Sequence, residues 1–147
     1  MKRLRHIALL LVMVSAALHN PAFGQQSERF DQYELFYSVV NTTFLQPDVA
    51  ATYKIKRGKK TAIINLAVRE HVDSGSEPRP MLLRGRTWDL IQGQPLEFQE
   101  VREGEAVYYI AEFGFINEEW RFFEVDFRPE GATQTYRFKF KHQLYIH

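Results

Sequence analysis

The stretch Trp120-Arg121-Phe122-Phe123-Glu124-Val125-Asp126-Phe127, with Pro129-Glu130-Gly131-Ala132 after it and then Tyr136-Arg137-Phe138-Lys139-Phe140-Lys141, reads as a β-hairpin. Phe123, Val125 and Phe127 fall on one face of the first run, and Glu124 and Asp126 on the other. In the second run Tyr136, Phe138 and Phe140 alternate with Arg137, Lys139 and Lys141. Successive side chains of a strand point to opposite faces, so a half-buried strand needs this period of two. The proline–glycine segment between the runs supplies the turn. Pairing residue 128 with 133 sets Asp126 opposite Thr135 and Glu124 opposite Arg137, with acids beside bases on the solvent side.

Working outward, strands alternate with turn signals. Residues 33–40, 61–68, 81–91, 96–101 and 106–115 read as five more strands, and 120–127 with 133–146 complete seven. Segment 72–80 holds Asp73, Ser74, Gly75, Ser76, Pro78 and Pro80 and reads as a loop. Segment 47–53 is expected to form one or two helical turns. Val107-Tyr108-Tyr109-Ile110-Ala111 is apolar on both faces, as a central strand requires. This pattern predicts an all-β, antiparallel, seven-stranded immunoglobulin-like β-sandwich. A half-open β-barrel is the alternative, because periodicity does not distinguish one curled sheet from two stacked ones.

The first 24 residues read differently. Lys2, Arg3 and Arg5 precede an apolar run at 7–18 broken only by Ser15, and Ala22-Phe23-Gly24 closes it with small residues. That is the grammar of a cleavable export signal. The run is shorter than the roughly 20 apolar residues that span a bilayer. The expectation is a signal peptide at 1–24, cleaved after Gly24, and a single domain at 25–147 in the periplasm with no transmembrane anchor. The chain has no cysteine, so it offers neither a lipid-attachment site nor disulfides, and its core alone must hold it together. Removing Lys2, Arg3 and Arg5 leaves 16 Lys+Arg against 18 Asp+Glu. A chain so close to neutral does not imply nucleic-acid binding.

The segment from Tyr37 to Ala50, which contains Asn41-Thr42-Thr43-Phe44, together with Ile64-Asn65-Leu66-Ala67-Val68 and Glu105-Ala106-Val107-Tyr108-Tyr109, resembles an exported bacterial family, domain of unknown function 4426. Asn41, Thr43 and Phe44 fall on its Asn-Thr-Phe-like hallmark. The resemblance runs along the whole of 25–147 and implies a Gram-negative, periplasmic protein. It implies no activity, cofactor or catalytic residue.

Three segments are candidates for a binding surface. Asn41, Thr43 and Phe44 present polar groups and a ring at a strand end, where Asn and Thr also serve as local turn caps. Lys54, Lys56, Arg57, Lys59 and Lys60 form a basic run suited to anionic headgroups or an acidic partner, or to protecting a sheet edge. Arg84, Arg86 and Trp88 share one face of a strand, either as an anion or carbohydrate platform or as a cross-strand stack paired with glutamates. His71, His142 and His147 lack metal-ligand spacing, and no cofactor is expected. No nucleophile motif is present, and Ser74 and Ser76 lie in the expected loop. The reading is a non-catalytic binding module of the cell envelope with a protein or peptide partner. The alternative is an envelope hydrolase whose carboxylates the fold brings together.

Overall fold

The computed structural model describes residues 25–147, so the expected signal segment lies outside the described residues. Among the described residues, ten strands form two antiparallel sheets. The larger sheet takes β1 (Gln26–Phe30), β2 (Tyr33–Asn41), β3 (Thr61–Val72), β8 (Ala106–Gly114) and β7 (Gln99–Glu103), side by side in that order. In the same sheet, β4 (Gly75–Arg79) pairs with the second half of β3. The smaller sheet runs β10 (Tyr136–Leu144), β9 (Glu119–Pro129), β5 (Met81–Trp88) and β6 (Gly93–Leu96).

Lettering β2, β3, β5, β7, β8, β9 and β10 as A to G gives A-B-E-D against G-F-C, the immunoglobulin arrangement. The expected sandwich is therefore present, and neither sheet closes into a barrel. Three strands, β1, β4 and β6, are added to the seven.

Each departure from the expected strands has a local cause. β1 is almost wholly exposed and shows no apolar alternation; only Phe30 turns inward, packing on Phe127, Tyr136 and Phe138. Segment 72–80 is half of a hairpin rather than a loop, because Gly75 at φ 141° turns the chain back and Arg79 bonds Glu70 across the pair at 2.7 Å. Pro78 in β4 and Pro95 in β6 lack an N–H, which an edge strand tolerates. The expected strand at 96–101 divides between β6 and β7, which belong to different sheets.

The hairpin register also differs, with Asp126 opposite Arg137 and Glu124 opposite Lys139. This two-residue shift from the expected pairing leaves every side chain on its expected face. The connection is longer than a tight turn. Glu130 N bonds Pro80 O at 2.8 Å, and Gln134 Nε2 reaches Asp31 at 2.8 Å.

The core between the sheets holds Leu35, Ile64, Leu66, Phe113, Phe123, Val125, Phe127 and Phe138. A smaller apolar cluster lies on the outer face of the larger sheet, beneath the connection 42–60. There a 3-10 turn (Thr42–Phe44) precedes helix α1 (Pro47–Thr52), started by Pro47 at its first turn. Ala50 and Ile55 cover Ile63, with Ile110 packed against them. This explains why the β8 sequence is apolar on both faces.

Candidate functional site

Strand register brings several connections to one end of the sandwich. β2 ends at Asn41, beside Ala62, and β8 ends at Gly114, beside Thr61. β9 starts at Glu119, level with Leu144 at the end of β10, and β5 ends at Trp88, level with Phe122. The two ends of the connection 42–60, the turns at 89–92 and 115–118, and the tail 145–147 therefore share this end. Phe115 N bonds Lys60 O at 2.9 Å, Ile146 N bonds Asn117 Oδ1 at 2.8 Å, and Asn41 Nδ2 bonds Tyr145 O at 2.6 Å.

Seven large apolar side chains are exposed among the described residues, and six of them stand here: Phe44, Leu90, Ile91, Ile116, Trp120 and Tyr145. Scattered exposed apolar residues are ordinary, but a gathered patch marks a contact surface. Leu90 and Ile91 are 93 % and 90 % exposed. Between their turn and that of Ile116 lies an open groove of about 570 Å³, which Trp120, Phe122 and Lys141 also line. Lys141 Nζ sits 4.9 Å from the Trp120 ring, within range of a cation–π attraction.

A buried charge cluster holds both turns. Asp89 Oδ1 accepts the N–H groups of Ile91 and Gln92, each at 2.7 Å. Glu119 Oε2 accepts the N–H of Ile116 at 2.8 Å. Arg121, only 4 % exposed, donates from Nη1 to Glu119 Oε1 at 3.0 Å and to Asp89 Oδ2 at 3.4 Å, and from Nε to Thr87 Oγ1 at 3.0 Å. One buried cation thus fixes two carboxylates, and each carboxylate fixes one apolar turn. The Gln92 and Ile91 N–H groups, then a hydrogen bond with the neighbouring Glu119 side chain and, less, the Arg121 charge, hold the Asp89 carboxyl down at about 2. The sequence carried a signal for this cluster, since Arg121 shares the inward parity of Phe123, Val125 and Phe127.

The residues picked out from sequence fall into two groups. Asn41 ties the tail, and Thr42 Oγ1 accepts the Gly58 N–H at 2.9 Å and lies 2.7 Å from Thr61 Oγ1, so both polar side chains serve the connection itself. Thr43 Oγ1 is buried with no hydrogen-bond partner among the described residues. Phe44 joins the exposed patch, 5.2 Å from the His147 ring. On the smaller sheet's outer face, Arg84 lies opposite Asp126 and Arg86 opposite Glu124. Arg86 also covers Trp88 at 4.8 Å, and Trp88 stacks on Phe122 at 5.7 Å. Trp88 thereby adjoins the groove, whereas Arg84 lies farther along the sheet, in the ion ladder with Asp126. Lys56, Arg57, Lys59 and Lys60 are exposed at the apolar end, and none forms an ion pair among the described residues. Lys54 lies beside the end of α1.

Other polar groups lie apart from this end. His71 Nε2 is 2.6 Å from Glu34 Oε2, and Ser27 Oγ donates to Glu34 Oε1 at 2.6 Å. The carboxylate stands between hydroxyl and imidazole, so His71 does not activate Ser27 as a nucleophile. Glu103 is buried beneath Tyr53, whose hydroxyl donates to it at 2.9 Å. Burial pushes the Glu103 carboxyl up, and burial with the Glu103 charge pushes Tyr53 up to about 12. Among the described residues, no group of three or more His, Cys, Asp or Glu is placed to hold a metal ion. No helix among them is long and apolar enough to cross a membrane.

The family model for the domain of unknown function DUF4426 matches residues 27–147. The chain belongs to this family. A DUF4426 family protein from Pseudomonas aeruginosa PAO1, solved by crystallography, is 30 % identical, with a TM-score of 0.72 over 84 % of this chain and 97 % of that one. FetP of uropathogenic E. coli strain F11, recombinantly expressed in the periplasm of E. coli BL21(DE3), shares the fold at 10 % identity and a TM-score of 0.57, over 82 % of this chain and 93 % of its own. A copper-bound variant of FetP aligns at 9 % identity and the same TM-score, over 82 % and 95 %. No curated protein matches the DUF4426 chain.

Proposed function

We propose that this DUF4426 protein is an exported, non-catalytic binding module of the cell envelope, and that it docks through the apolar end of its sandwich. The observation that carries the reading is the gathering of Leu90, Ile91, Ile116, Trp120, Tyr145 and Phe44 at one end, where the turns of Leu90, Ile91 and Ile116 are held from beneath by Arg121 through Asp89 and Glu119. A preordered surface binds without the cost of ordering its loops. Export rests on the basic, apolar and small-residue pattern of 1–24, and the periplasmic expression of FetP agrees with that address. The hydrolase alternative calls for two carboxylates free to exchange protons. Asp89 and Glu119, which line the groove, are instead bonded to Arg121 and to backbone N–H groups. The copper of the FetP variant belongs to a protein only 9 % identical, a likeness of fold alone, and is not carried over.

A photo-crosslinking residue placed at Ile91, at Ile116 or, as control, at Leu82 tests the reading in living cells. Adducts at the first two positions and none at Leu82 are expected. Equal labelling at all three, or none, would remove the apolar end as the docking surface.

A further inference from the structure

We propose that the partner of the apolar end is the surface of an anionic phospholipid bilayer, into which the two turns insert. The inference rests on the docking role just proposed and names its chemistry. Leu90, Ile91 and Ile116 stand on turn tips, at 93 %, 90 % and 64 % exposure, and project outward instead of lining a closed cavity. A bilayer interface accepts such protruding side chains without a matched cavity, as it accepts the apolar face of an interfacial helix. Trp120 and Tyr145 stand beside them, and their part-polar rings suit the headgroup level.

Basic side chains lie on the same end of the molecule as these tips. Lys56 donates its backbone N–H to Glu112, Arg57 reaches Thr43 O at 3.0 Å, and Lys60 O is bonded by Phe115, which places the run on the same end as Ile116. Lys141 flanks the groove over Trp120. Lysine and arginine stems can lie along apolar surface while their charges meet headgroup phosphates. The acids of this end are Asp48, Glu112, Glu118, Glu119 and Asp89, and the last two face the buried Arg121. Residues 25–147 carry an excess of acids over bases, so this exposed basic run is a local asymmetry and orients the molecule. Near a negative bilayer each such cation adds to the attraction, and the effect fades with salt.

The chain has two tryptophans, Trp88 and Trp120, and both lie at or beside this end, so their fluorescence reports insertion directly. Exported protein purified from cells would be mixed with vesicles of phosphatidylcholine alone, or of phosphatidylcholine with phosphatidylglycerol. Brominated acyl chains would serve as quenchers. Expected are co-flotation and quenching with the anionic vesicles, weakened by salt. Ile91→Asp should abolish both, and Lys59→Glu with Lys60→Glu should weaken binding about tenfold or more. The wild-type quenching decides the matter should a variant fail to fold.

Equal binding to neutral vesicles overturns the role of charge. If neither vesicle is bound while crosslinks from Ile91 to an envelope protein persist, the lipid proposal falls and the docking surface stands. Absence of both would end the two readings together.

Discussion

Arg121 carries a full charge at 4 % exposure, and its side chain explains more of the apolar end than any other. Its guanidinium is planar and forked, so it can serve Thr87, Glu119 and Asp89 at once, which a lysine ammonium cannot do in the same geometry. Removing one partner of a buried ion cluster strands the others without compensation. Arg121→Met should therefore lower the unfolding free energy by about 3–5 kcal/mol, read from urea denaturation. Adding Asp89→Asn and Glu119→Gln to it should recover part of that loss. Asp89 adds a pH dependence of definite sign. Its folded value of about 2 lies below the unfolded value of roughly 3.9, so the unfolded chain takes up the proton first. Its contribution is complete above the unfolded value and disappears as pH falls toward 2. The melting temperatures of wild type and Asp89→Asn should differ most near neutrality and converge near pH 2.

At the scale of the element, β5 shows how differently two faces of one strand respond. Gly85 points inward, and a Cβ there would meet Glu124 O at 3.1 Å and the Phe98 and Val125 side chains at 3.2 Å. One of these neighbours is backbone and cannot rotate aside. Gly85→Ala should cost about 1–3 kcal/mol, measured by thermal or urea unfolding. Arg84 and Arg86 point outward in an ion ladder with Asp126 and Glu124, with Arg86 64 % exposed. Exposed pairs contribute little, so Arg84→Ala with Arg86→Ala should leave stability within about 1 kcal/mol. A collapsed transition in that double variant would make the ladder structural. The outward and inward faces of β5, β9 and β10 were legible in the sequence because parity alone sets them. The register of the β9–β10 hairpin was not, because Glu130 bonds Pro80 and Gln134 bonds Asp31, which belong to the β4–β5 and β1–β2 connections far away in sequence. The edge strands β1, β4 and β6 were hidden for a related reason. An edge needs no second buried face, so its sequence can be polar or contain proline.

For the molecule as a whole, folding does not explain the apolar end. Leu90 and Ile91 lose almost no exposed area on folding, so Leu90→Ser with Ile91→Ser should change stability by no more than about 0.5 kcal/mol while removing the binding surface. Equal losses of stability and binding, measured on the same sample, would instead tie these side chains to the fold. The sequence by itself determined an all-β antiparallel chain and its inward and outward faces, because alternation and turn chemistry act between near neighbours along the chain, while the choice of two stacked sheets over one curled sheet came from the tertiary structure. It also marked Phe44 and the lysines singly. Only the tertiary structure decided that Phe44, Leu90, Ile116, Trp120 and Tyr145 share one end and that Arg121 holds two of its turns. Those residues lie on different connections, far apart in sequence. They meet because β2, β5, β8 and β10 all end at the same edge of the sandwich, and that alignment is set by pairing between strands.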